Sequence, residues 1–126
     1  MAATMTLRAL RMEEVEFEVA IEPEEEGVRG NAQASGDDAA DRKLEEEITE
    51  RLERGDQAAW CTVMVTARWN GFSGWASLGC VSLDESYTLD VVVDDHDMKE
   101  EALAHLNQQI AESAASIAPL CEGPSC

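Results

Sequence analysis

From Glu14 the chain alternates strictly, with Val15, Phe17, Val19 and Ile21 on one side and Glu14, Glu16 and Glu18 on the other. A period of two predicts a half-buried strand with an acidic outer face, ended by Pro23. Residues 22–36 are rich in Glu, Gly and small polar types and predict a long surface loop. Ser35 or Asp37 can cap a helix running to about Arg54, with Gly55 as its stop. Within it Ala40, Leu44, Ile48 and Leu52 recur every four residues as a core-facing stripe.

Ala59 to Trp69 alternates, Asn70-Gly71 is a strong two-residue hairpin turn, and Phe72 to Val81 alternates back. Centring the turn there pairs Trp69 with Phe72, Val65 with Ala76, Val63 with Leu78 and Cys61 with Cys80, all on one face. Gly74 and Gly79 mark candidate bulges. Trp60, Met64 and Trp75 share the other face, which is either covered or presents two Trp. Tyr87, Leu89, Val91 and Val93 predict a fourth strand. Asp97, with Glu100 three residues later, predicts a capping box for a second helix to about Ala118. Its stripe is Met98, Leu103, Leu106, Ile110, Ala114 and Ile117, and Pro119 stops it.

The predicted fold class is therefore α+β: an antiparallel sheet of three to four strands in β-α-β-β-(β)-α order, with two helices packed on one face. Residues 1–126 fit a single domain, with 1–11 as a frayed N-terminus and 119–126 as a loose tail. The helix–three-strand–helix part has the order of a double-stranded-RNA-binding domain. The chemistry is opposite, because such modules contact phosphates with basic residues and this chain carries acids.

Charge changes the picture most. Twenty-seven acids against nine bases give a net charge of −18. Such a field repels DNA, RNA and anionic membranes, so neither direct nucleic-acid binding nor membrane binding is expected, and it attracts basic proteins. The acids are segregated: eight lie in residues 13–26, nine in 37–56 and eight in 84–101, while 57–83 has none. Glu14, Glu16 and Glu18 would stand ~6.8 Å apart on a strand face. Asp37, Asp41 and Glu45, and separately Glu46 and Glu50, would stand ~6 Å apart along a helix. These spacings are of the order of successive phosphates in a nucleic-acid strand.

Catalytic chemistry finds little footing. No HExxH, Walker loop, dinucleotide fingerprint or nucleophile elbow is present, so a non-enzymatic protein is expected, with no catalytic residue, metal or other cofactor. Asp94, Asp95, His96 and Asp97 are the densest ligand-like cluster but read as an acidic turn before a helix. Asp97, Glu101 and His105 can share a helix face and read as a solvated one with an i,i+4 contact. Cys61 and Cys80 read as cross-strand packing partners, and Cys121 and Cys126 as tail thiols. No 20-residue apolar run or secretory signal is apparent, which predicts a cytoplasmic protein.

The stretch Val28 to Asp38, Trp60-Cys61, the Gly71–Cys80 region and Asp97 to Leu103 resemble small acidic accessory proteins of phages and plasmids. In size and charge the chain is also similar to anti-CRISPR inhibitors that imitate DNA. The resemblance implies an inhibitor occupying a basic nucleic-acid-binding surface of a host effector complex. The acidic rows supply the candidate contacts: Glu14, Glu16, Glu18, Glu24, Glu25, Asp37, Asp38, Asp41 and Glu45. The alternative is an interaction module that binds through the acid-free hairpin, with Trp60 and Trp75 as aromatic anchors.

Overall fold

The computed structural model describes residues 8–29, 31–32 and 37–117. It is an α+β fold with a three-stranded antiparallel sheet and three α-helices. β1 (Glu16–Pro23) is followed by α1 (Asp38–Glu53), the hairpin β2 (Cys61–Trp69) and β3 (Phe72–Val81), then α2 (Leu89–Asp95) and α3 (Met98–Ile117). The strands lie in the order β1-β2-β3, so the acid-free β2 is central.

The hairpin forms as the sequence predicts. Asn70 (φ 48°) and Gly71 (φ 85°) both adopt the left-handed conformation of a tight hairpin turn. Trp69 then pairs with Phe72, Val65 with Ala76 and Val63 with Leu78. The register departs at the open end, where a bulge pairs Cys61 with Val81 and leaves Cys80 at φ 56°. Cys61 therefore enters the main core, whereas Cys80 turns into a second, smaller cluster. The two thiols are not cross-strand packing partners.

α3 covers the sheet. Met98, Ala102 and Leu106, one helical turn apart, are fully buried against Val63, Val65, Ala67 and Ala76. The approach is closest at Gly74, where a Cβ would lie 2.1 Å from the Leu106 amide nitrogen and 2.7 Å from the Ala102 carbonyl oxygen. Gly74 thus admits a helix backbone to the strand and is not a bulge.

α1 does not share that layer, contrary to the two-helices-on-one-face expectation. It is held at the sheet end remote from the hairpin, where Ile48 and Leu52 pack with Ala59, Trp60, Val28, Ala32 and Cys80. Of the expected stripe, Ile48 is buried, Leu52 half-buried, and Ala40 and Leu44 exposed. Arg51 fastens the helix by pairing with Asp56 at 2.8 Å and donating to the Leu83 carbonyl at 2.6 Å. Asp37 caps α1 by accepting from the Ala39 and Ala40 amides, and Gly55 (φ 87°) follows its end.

The expected fourth strand is instead the short helix α2. Asp84 accepts from the Ser86 and Tyr87 amides at 2.9 and 2.7 Å, which folds the chain into a turn. Thr88 then caps α2 by accepting from the Val91 amide. Adjacent Val92 and Val93 are both buried and Val91 is exposed, which breaks the alternation of a half-buried strand. The double-stranded-RNA-binding order is lost with that strand. Asp97 joins α2 to α3 at φ 49°, outside the extended conformation that a capping-box residue needs.

Residues 8–11, expected to fray, are tied down: Leu10 exchanges two hydrogen bonds with the Asn107 side chain, at 2.8 and 3.2 Å. The 119–126 tail, with Cys121 and Cys126, lies outside the described residues, as does Ser35.

Gly74→Ala is expected to lower unfolding free energy by about 3 kcal/mol, because the helix backbone must move. Gly27→Ala, whose added methyl would have nothing within 4 Å, should change it by no more than about 0.5 kcal/mol. Urea unfolding of the two variants checks both.

Candidate acidic interaction surfaces

The candidate contact residues do not form one surface. Glu14, Glu16 and Glu18 lie at the hairpin end of β1, where Glu16 pairs with Arg68 in the ladder. Asp37 caps α1, and Asp38, Asp41 and Glu45 lie on that helix, which is held at the opposite end of the sheet. The length of β1, roughly 24 Å, runs between those two ends.

Glu14, Glu18 and Glu24 are engaged by groups elsewhere in the chain, as Asp37 is by the two amides it caps. Glu14 receives both terminal nitrogens of Arg8, at 2.7 and 2.6 Å, and the Arg11 amide at 3.0 Å. The Arg8 guanidinium, then the Arg11 amide, hold its carboxyl down to about 2. Glu18 is paired with Arg68. Both partners are more than half exposed, so the pair contributes little to stability.

Glu24 is the most heavily engaged. Its Oε2 accepts from the Cys80 amide at 2.7 Å and from Thr62 Oγ1 at 2.8 Å, while Oε1 accepts from the Glu26 amide at 3.1 Å. These donors, the Cys80 amide foremost, hold its carboxyl below the usual range. Glu24 therefore joins the loop after β1 to the bulge in β3. A Cβ at Gly79 would stand 2.7 Å from Oε2, so that glycine leaves room for the carboxylate. Burial, then the Glu24 charge, pushes both the Cys61 and Cys80 thiols up, which favours the thiol over the thiolate.

Glu16, Glu25 and Asp38 remain exposed, and Asp41 and Glu45 are half-buried. The α1 group belongs to a larger feature. A shallow groove beside α1, bordered by Arg29 and Ala32, is lined by Asp38, Asp41, Glu45, Glu46, Glu50 and Glu53 together with Arg42. Six carboxylates face two guanidinium groups, so the groove is strongly negative. Glu46 and Glu50 are the second expected row, and Glu53, the last residue of the helix, is added to the two. The four-residue period that placed Asp41 and Glu45 together reaches Glu53 through Thr49.

The comparisons add no relative. No family model matches the chain, and no match was found among curated proteins or solved structures.

The two tryptophans separate. Trp60 is buried, and its indole N–H donates to the Glu26 carbonyl at 2.8 Å, so it is a core residue and not a surface anchor. Trp75 is 47% exposed, with its ring edge-on to His105 at a centroid distance of 4.2 Å. His105 Nδ1 accepts from the Trp75 amide at 3.0 Å. His105 thus binds the edge of β3 instead of sharing a solvated face with Glu101. His96 lies 3.1 Å from the Tyr87 hydroxyl. Among the described residues, no three His, Cys, Asp or Glu side chains converge as metal ligands, and no helix is long and apolar enough to cross a membrane.

Because its pKa is depressed on folding, Glu24 contributes stability above the ordinary carboxylate range and loses it as pH falls through its lowered value. Relief of repulsion among the other acids acts in the opposite direction. The informative quantity is therefore the wild-type minus Glu24→Gln difference in urea midpoint. It should be largest near neutrality and shrink as both proteins are taken to about pH 3. A difference that stays constant with pH would show that the carboxylate charge is not what the three donors hold.

Proposed function

We propose that the protein is a non-enzymatic acidic binder that occupies a basic nucleic-acid-binding surface of a host protein, in the manner of DNA-imitating anti-CRISPR inhibitors. The observation that carries this reading is the composition of α1. Seven of its sixteen residues are acidic, yet it gives the core one fully buried side chain, Ile48. A helix kept for packing needs a wider apolar face. The acids also run into its last turns, where the helix dipole disfavours them. Their axial spacing of ~6 Å suits a Lys/Arg groove built for phosphates. Displacement of counterions from the two charged surfaces would drive the contact and make it salt-sensitive.

A second reading rests on Trp75. One face of β2 and β3 carries Met64, Thr66, Ser73, Trp75 and Ser77 without an acid, and the Trp75 ring, 47% exposed, lies at the β3 edge against His105 of α3. A contact centred there would depend weakly on salt.

Charge reversal distinguishes the two. Asp38→Lys, Glu46→Lys and Glu53→Lys combined should abolish capture of nucleic-acid-binding proteins from a bacterial lysate, with the circular dichroism spectrum unchanged. Duplex DNA and high salt should each displace the captured proteins from the wild-type chain. Capture that survives the reversal and high salt but is lost in Trp75→Ala would favour the hairpin reading.

A further inference from the structure

The two edges of the sheet are treated differently. At the β3 edge, α3 presses on Gly74 and His105 accepts the Trp75 amide, so a side chain from the helix blocks strand addition there. β1 is the other edge. Along its eight residues one side pairs with β2 from Glu16 to Pro23, and among the described residues no backbone group pairs with the opposite side. Its exposed face carries Glu16, Glu18 and Glu22. Its other face carries Phe17, Val19 and Ile21, which pack against the core but are only partly buried. Lys99 reaches over the Phe17 ring at 5.7 Å.

We infer that β1 is a docking edge for an extended segment of the partner protein with basic and apolar residues in alternation. Its backbone would continue the ladder beyond β1. Its basic side chains would stand beside Glu16 and Glu22, and its apolar side chains beside the half-buried Phe17, Val19 and Ile21. Charge selects this occupant over a second copy of the chain. Two β1 strands paired with each other would place carboxylates beside carboxylates, which is destabilising, so the acids that admit a basic strand also prevent self-association. The inference rests on the partner's being basic, as proposed above, but places a contact on β1 that the α1 groove does not require.

The test uses the full chain and an acetylated, amidated Lys-Val-Lys-Val-Lys-Val-Lys peptide, with amide hydrogen exchange as the readout. Alternate amides of β1, open to water in the free protein, should become protected on peptide addition. The same peptide N-methylated at every amide keeps its charge but cannot form the ladder, and should bind about tenfold more weakly or worse. Glu16→Lys with Glu22→Lys should remove the protection, whereas reversal of Asp38, Glu46 and Glu53 should leave it in place. Peptide binding without β1 protection, or equal binding of the N-methylated peptide, overturns the inference while leaving the acidic-groove reading intact. Absence of any binding overturns it as well, and persistence of salt-sensitive lysate capture would then show that the α1 reading survives alone.

Discussion

The close contact between α3 and β3 at Gly74 is the constraint on which the rest of the structure depends. A sheet of three strands has two faces to satisfy, and this chain covers one of them with a single long helix. The helix backbone comes within reach of the strand backbone because residue 74 has no side chain. Ala102 and Leu106 then fill the space over Val63, Val65 and Ala76. With that layer complete, α1 is not needed over the sheet, and a small cluster around Ile48 and Trp60 suffices to hold it at one end. A helix freed from packing can carry many carboxylates without burying any.

Much of this is legible in the residues. The Asn-Gly turn fixes the hairpin register over most of its length, because turn chemistry and alternation agree there. Asp37 and Gly55 bound α1 through local backbone physics that needs no tertiary contact. The run from Tyr87 to Val93 misleads because three consecutive valines fit either period. The turn made by Asp84 and the cap made by Thr88 decide for a helix. Gly74 reads as a bulge because sequence alone does not show which glycine faces a helix.

The acidic rows are legible as patterns but not as a surface. Period two groups Glu14, Glu16 and Glu18, and helical period groups Asp37, Asp41 and Glu45. Neither shows that the groups lie at opposite ends of the sheet, or that Arg8, Arg68 and the Cys80 amide engage Glu14, Glu18 and Glu24. Those partners are set by contacts across the fold. The same applies to Trp60, whose indole finds a carbonyl in the loop after β1, and to His105, whose ring nitrogen finds a strand edge. The signal that carries furthest is the density of acids on α1, where the fold makes little use of the helix.

If those acids serve a partner, they should not serve stability. The direct measurement is the urea midpoint, at low ionic strength, of a chain in which Glu46, Glu47 and Glu53 are replaced by Gln. Those three lie on the exposed middle and end of α1, where mutual repulsion and the helix dipole both oppose them. The expected midpoint is equal to or above that of the wild type, converging with it as salt is added. A lower midpoint would mean that the carboxylates hold the fold together, and would contradict their assignment to a partner.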